Sequence, residues 1–388
     1  MILNNKFQPF IFLFMINVYV MDGFAQNVIT GSLIDSVSKQ PIVGVNIFEE
    51  SSKYSTISND DGEFQITVKT LPVKLIFSHV SYNRVVKTII NTDFQVYSLS
   101  VAVIQLPEAR SGNPVNSILN AVLRKALSDT TKRHFFKGFY QKVYSLNGRY
   151  SQLHELFLNM SWGQFGVDKW QPVNSRYAYM DIQQYLNGNT AFASFFHSNT
   201  IRTFLSYPLT DYSLRKDYEF KLKHYLNAGT VDESAVIEFK SNWKDSNKSQ
   251  VEGEIYVKTN RDNIVRVSYR YTYPTSRNWK RSENIDVSFK EDANGFSLFE
   301  SLYLNINSKK NLSTDRISEK AWLIAYEEIN NLSSEKVYPA YIQDDLKILK
   351  ASPYNAEFWQ ENVPLKHTKL EKEVIQYFEK KQKFTSSF

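Results

Sequence analysis

Residues 58–68 read Ser-Asn-Asp-Asp-Gly-Glu-Phe-Gln-Ile-Thr-Val. Asn59-Asp60-Asp61-Gly62 is a hairpin turn, because Asp and Gly tolerate the positive φ that a tight reversal demands. Residues 63–68 then alternate polar and apolar, the period of a strand with one buried face. The same punctuation continues on both sides. Residues 28–34 and 43–48 are strand-like, separated by a polar loop that Pro41 closes. Residues 54–57, 75–78 and 84–90 add further short strands. Six or seven strands at this spacing predict a β-sandwich.

Four blocks within this region carry a resemblance. They are Gly31-x-Leu33-x-Asp35, Pro41-Ile42-x-Gly44-Val45-x-Ile47, Ser58-Asn59-Asp60-Asp61-Gly62-Glu63-Phe64-x-Ile66 and Phe77-Ser78-His79-Val80-Ser81-Tyr82. Their order and spacing resemble the carboxypeptidase regulatory-like domain. That resemblance implies a seven-stranded transthyretin-like β-sandwich over residues 26–107. It also implies a module without catalytic residues, of the kind found ahead of the plug in TonB-dependent outer-membrane receptors. Ser81-Tyr82 departs from the more usual Gly-Tyr, which implies a looser turn there.

The start of the chain predicts export. Lys6 supplies a positive charge, residues 10–21 are apolar except for Asn17, and Gly23-Phe24-Ala25 offers small residues ahead of Gln26. This is the pattern of a cleavable signal peptide over residues 1–25. The apolar run is shorter than the about 20 residues of a membrane span. No later stretch reaches that length, so no transmembrane span is expected after cleavage. The chain has no cysteine. Disulfides, thiol catalysis, thiolate metal sites and a lipoprotein anchor are therefore excluded. The expected location is the periplasm or the outer membrane. The remaining length suits two or three cores.

Composition points to β structure throughout. The 24 Tyr and 27 Phe outnumber the 13 Gly, and aromatic residues favour strands. The net charge of +6 is spread along the chain apart from a C-terminal cluster. Nucleic-acid binding, which needs a concentrated basic face, is not expected.

Residues 108–134 read as a linker and one helix. Asn113-Pro114 can open it, and Val115, Ile118, Leu119, Val122 and Ala126 recur on one face. Residues 135–345 read as an antiparallel β-rich domain. Asn147-Gly148 is a hairpin signal, while residues 165–215 look irregular and rich in aromatics. Residues 218–226, 234–240, 251–259, 264–273, 285–289, 296–306 and 321–329 form a meander whose neighbours should pair antiparallel. Such a sheet can curl over a helix or a cavity. Residues 113–345 also resemble the second region of envelope proteins that carry the same N-terminal module, through Lys137-Gly138-Phe139-Tyr140 and Pro353-Tyr354-Asn355-x-x-Phe358-Trp359. Some such proteins continue into an outer-membrane barrel. Residues 346–388 read as an extension with a basic helix, where Leu370, Val374 and Phe378 recur at helical spacing. Glu371, Glu373 and Glu379 dilute its charge, so the stripe is expected to pack on the body rather than on a membrane. The fold class is thus mainly β: a sandwich, an α+β domain with a curled antiparallel sheet, and a C-terminal helix.

Chemical motifs are sparse. His79, His134, His154, His197, His224 and His367 are scattered without metal-ligand spacing. His154 and Glu155 are adjacent in a predicted strand and should face opposite sides. No nucleophile elbow, Ser-x-x-Lys set, P-loop or dinucleotide glycine pattern occurs. Asp60-Asp61-Gly62 suits a turn better than a calcium loop. Asp344-Asp345 reads as a surface turn. No catalytic, cofactor-binding or metal residue is assigned, and no cofactor is expected. The aromatic-rich stretch 176–208, with Tyr177, Tyr179, Tyr185, Phe192, Phe195, Phe196, Phe204 and Tyr207 among amides, suits sugar or peptide binding or a satellite core. The expected function is a non-catalytic exported envelope protein in binding or assembly, with an outer-membrane receptor or barrel as partner. Two alternatives stand beside it: a divergent hydrolase or peptidase accessory, and a carrier of an apolar or glycan ligand in the curled sheet.

Overall fold

The computed structural model describes residues 27–50, 54–106, 114–128, 131–163, 166–179, 216–243, 245, 247–274, 279–291, 295, 297–310, 314–340 and 354–384. The leader, the linker up to Asn113, residues 180–208 of the aromatic stretch, His197 and Asp344-Asp345 lie outside them.

The 59–62 turn forms as its residues dictate. Asn59 Oδ1 accepts from the backbone N–H groups of Asp61 (3.0 Å) and Glu63 (2.9 Å), and Gly62 takes φ +72°. A Cβ at Gly62 would stand 2.7 Å from the Leu33 carbonyl oxygen, so no other residue fits.

Seven strands build the sandwich. β1 (Asn27–Asp35) lies between β4 (Glu63–Val68), antiparallel, and β7 (Gln95–Leu99), parallel. The second sheet runs β3 (Ser55–Ile57), β2 (Asn46–Glu49), β5 (Val73–Ser78), β6 (Val85–Ile89). Alternating residues of both sheets meet in a core centred on Phe64, Phe77 and Tyr97, with ring centroids 4.8–6.1 Å apart. The chain then leaves the sandwich through β8 (Ile104–Gln105).

Helix α1 (Pro114–Leu127) and eleven strands follow. They are β9 (His134–Leu146), β10 (Arg149–Gly163), β11 (Gly166–Tyr179), β12 (Tyr218–Leu226), β13 (Ser234–Ser241), β14 (Gln250–Lys258), β15 (Asn263–Thr272), β16 (Trp279–Glu291), β17 (Ser297–Lys310), β18 (Arg316–Ile329) and β19 (Tyr338–Pro339). With β8 they form one twelve-stranded antiparallel sheet, ordered β19-β11-β10-β9-β18-β17-β16-β15-β14-β13-β12-β8 and not closed. Asn147 (φ 53°) and Gly148 (φ 78°) turn β9 into β10, the two positive φ values of a tight hairpin.

The sheet packs on α1. Val115, Leu119 and Val122 share one buried cluster with side chains from every strand from β9 to β18. At about 4.8 Å per strand, ten flat strands would span roughly 45 Å, far more than a helix about 10 Å across can touch. The cluster is therefore a continuous apolar layer over one sheet face, of which α1 meets part, chiefly at β12 and β15.

Two short helices cover the opposite face: α2 (Ala356–Glu361) and α3 (Lys369–Lys380). Thr368 caps α3 in a reciprocal box with Glu371. Trp359 and Leu365 pack with Phe139, Phe157, Trp322, Ile324 and the sandwich residue Ile57. Ile375, Phe378 and Phe384 pack with Val143, Leu153 and Ala178.

Three expectations are corrected. Residues 166–179 are a strand, not irregular chain; Pro172 and a bulge at Val173 hide its period, and Pro is tolerated because β19 pairs only with Lys169 and Trp170. The strands beginning at Trp279 and Arg316 start earlier than expected, because they run through largely polar stretches, residues 280–284 and 318–320, that show no apolar alternation. The buried stripe of α3 runs through Val374, Ile375 and Phe378, and Leu370 is 50% exposed.

Leu119→Ala should lower stability by about 2–5 kcal/mol, the range for emptying a closed core site. Leu370→Ala should stay within about 0.5 kcal/mol, as a surface change does. Urea unfolding followed by tryptophan fluorescence compares the two, and equal losses would contradict this placement of α1.

Candidate functional site

Where the sandwich meets the outer face of the large sheet, a cleft of about 490 Å³ opens. One wall is β2 with the stretch after β5, which carries His79, Tyr82 and Arg84. The other comes from β16, β17, β18 and the ends of β12–β14.

A bulge aims the central residue. Ser288 pairs with Ser301 and Phe289 with Phe299, which leaves Glu300 as the extra residue of β17. Leu302, Leu304 and Ile306 face the inner cluster. Strict alternation would send position 300 inward too. The bulge turns Glu300 to the sandwich side, as bulges beside binding sites do. There Asn46 Nδ2 of β2 donates to Glu300 Oε1. Asn46 Oδ1 is buried without a partner.

The charges around Glu300 are mostly committed to each other. Lys258 Nζ lies 3.4 Å from Asp232 and 3.6 Å from Glu291, Lys290 lies 3.3 Å from Glu328, and Glu50 lies 3.7 Å from Lys74. No basic nitrogen among the described residues is within ion-pair distance of Glu300. Burial therefore dominates and pushes its carboxyl up to about 7, against the opposing field of Lys290 and the Asn46 hydrogen bond. Beside it, Arg266 forms a forked pair with Asp286 and reaches His79 Nε2 (3.3 Å) and Ser81 Oγ (3.4 Å). Burial, then the Arg266 charge, hold His79 well below its ordinary range and keep it neutral.

A second hollow, about 590 Å³, lies on the outer face of β12–β16. Its charges form exposed pairs such as Lys240–Glu219 (3.0 Å) and Arg270–Glu252 (4.0 Å). That is an ordinary solvated sheet face.

His154 and Glu155 face opposite sides of β10, as their adjacency predicts. His154 is buried edge-on to Tyr140 and Tyr177, and burial, with the field of Lys142, lowers it to about 3. Glu155 is fully buried and accepts from Gln141 (2.8 Å), Arg176 and His367 (2.6 Å). Burial alone would raise its carboxyl; Arg176, His367 and Gln141 outweigh that and hold it low. The Arg176 guanidinium also lies over Trp359 (4.4 Å) and Phe384 (5.0 Å). Thus Arg176, first noted only as the edge of an aromatic stretch, is the anchor of the C-terminal segment.

The other noted residues serve structure. Asp60 pairs with Lys320 of β18 and holds the sandwich to the sheet. His134 stacks on Phe136 and His224 is half-buried on β12. Among the described residues no three His, Asp or Glu are grouped to hold a metal. Sequence reading missed Glu300 and Asn46; a bulge leaves no composition signal.

Two substitutions separate these buried carboxylates. Glu155→Gln should cost about 3–5 kcal/mol, because it takes the buried partner from Arg176 and leaves only Glu379, half exposed and 3.8 Å away, to balance its charge. Replacing both with Met should cost less. Glu300→Gln should do the reverse. A raised carboxyl loses stability as pH climbs from its ordinary 4.5 through about 7. The variant should match the parent near pH 4 and exceed it by up to about 3 kcal/mol above pH 8. Unfolding curves at several pH values measure this; a pH-independent difference would refute the assignment.

A search among curated proteins finds no match to this chain. Residues 29–109 match the family model of the CarboxypepD_reg-like domain, so the sandwich wall of the cleft is such a domain.

Proposed function

We propose that this is a non-catalytic exported envelope protein that acts in binding or assembly with an outer-membrane receptor or barrel. The observation that carries the reading is a polar cleft whose walls come from two separate cores. A ligand seated there touches both, so its binding is coupled to how they hold each other. A CarboxypepD_reg-like domain is not itself a catalytic domain, which supports recognition over turnover. The positive, apolar and small-residue pattern of residues 1–25 supports export. The inner face of the sheet is filled by α1 and its apolar neighbours, so a polar ligand such as a peptide or glycan suits this protein better than an apolar one.

Glu300 is the specific observation for a hydrolase. A carboxylic acid held protonated near neutrality can serve as a general acid. That chemistry also needs an oppositely tuned base beside it. Asp232, Glu291 and Glu328 in the cleft are each tied to lysines. Binding is the better reading.

Expression with the leader in a bacterium that has two membranes should yield a chain starting at Gln26 in the envelope fraction. Mass spectrometry of the N-terminus reads this, and an intact Met1 in the cytosol would overturn export. Crosslinking should recover one stoichiometric outer-membrane protein. Hydrolysis of a peptide or glycoside panel, lost in Glu300→Gln, would overturn the non-catalytic reading.

A further inference from the structure

We propose that the Asn46–Glu300 corner of the cleft binds a primary alkylammonium group, such as a lysine side chain or a polyamine end. The inference rests on the cleft being a ligand site and names the chemistry it selects.

Three observations converge. First, six carboxylates line the cleft, Glu49, Glu50, Asp232, Glu291, Glu300 and Glu328; lysines pair with Asp232, Glu291, Glu328 and Glu50, but no ion pair among the described residues reaches Glu300. Second, the cations lining the cleft are engaged, Lys258 and Lys290 in ion pairs and Arg84 over the Phe48 ring at 5.8 Å. Third, Glu300 and Asn46 are 9% and 5% exposed, and Asn46 Oδ1 has no partner. A buried acceptor without a donor is costly, and so is a buried carboxylate without a cation. An ammonium supplies three donors and one positive charge. It can pair with the Glu300 carboxylate and donate to Asn46 Oδ1 together, which a neutral hydroxyl cannot do with the same Coulombic gain.

The cavity volume admits a lysine side chain or a short polyamine but not a folded domain. The aliphatic stem would run along Phe48 and Val265, which also line the cleft.

A pH signature follows from the groups that face Glu300. These are Lys290 and Glu291 of β16, Glu328 of β18, Glu49 of β2, His79 and Arg84 after β5, and Lys258 of β14 with Asp232. His79 is held neutral. Glu300 changes charge near pH 7. An ammonium pairs with the carboxylate, so binding expels the Glu300 proton. The ammonium itself, with an ordinary value near 10.4, keeps its own.

The test is calorimetric titration of the full chain after leader removal with spermidine and with the tripeptide Ser-Lys-Ser, capped at both ends. Capped Ser-norleucine-Ser is the neutral control. The amines should bind at least tenfold more tightly than the control and tighten severalfold from pH 6 to pH 8. At pH 7, titrations in buffers of different ionisation enthalpy should show about half a proton released per amine bound, as a group titrating near 7 requires. Glu300→Gln is expected to fold, and should weaken both amines at least tenfold and abolish the proton release. Preference for spermidine points to a free polyamine, and preference for the tripeptide to a basic peptide segment; either supports the proposal. Equal binding of amine and control, or unchanged binding by Glu300→Gln, overturns it. Capture of an outer-membrane partner despite that failure would leave the binding role standing without this ligand.

Discussion

The centre of the large sheet is dry on both faces, and the rest of the architecture answers that constraint. An antiparallel sheet usually keeps one face in water. Here β9 and β10 are buried on both sides over most of their length, and β18 over its middle. Leu156, Leu158 and Met160 join the inner cluster to which α1 belongs, while Leu153 and Phe157 point outward. The outward residues need a second layer. The sandwich supplies Ile57, and the C-terminal segment supplies Trp359, Leu365, Ile375 and Phe378. Two stretches about 300 residues apart in sequence are therefore bound to one surface.

Polar contacts fix how that layer sits. Thr56 donates to the Pro364 carbonyl at 2.8 Å, Asn59 to the Lys366 carbonyl at 2.8 Å, and Lys366 pairs with Glu63 at 2.9 Å. The sandwich thus grips the C-terminal segment as well as the sheet. The Asn59 turn that defines the N-terminal module also forms part of the interface. Hydrophobic burial drives this association, and the hydrogen bonds select one register among many apolar dockings.

Much of the fold was legible because it rests on local rules. Asn147-Gly148 can only be a tight reversal, and the 3.6-residue stripe of α1 marks its buried face. The sandwich was legible as spaced blocks, and the match over residues 29–109 agrees. What escaped depends on partners distant in the chain. β11 lost its period to Pro172. The stripe of α3 shifted from Leu370 to Ile375 because the covered surface, not the helix, decides which side is buried. Glu300 escaped for a sharper reason: one extra residue in β17 reverses the face it occupies, and nothing near position 300 announces that.

The two buried carboxylates are held in opposite ways within the same protein. Glu155 and Glu300 both sit on strands of one sheet and both are removed from water. Glu155 has a guanidinium, an imidazole and an amide around it, and its charge is held. It locks the C-terminal segment down. Glu300 has one amide, and its charge is resisted. Replacing Asn46 with an apolar residue would remove even that. Folding has tolerated the unfavourable arrangement at a bulge that also interrupts the ladder, so two local costs fall on one residue. At Glu300 the break in the ladder and the loss of solvation fall on one cleft-lining residue, whereas at Glu155 the buried charge is matched by its partners.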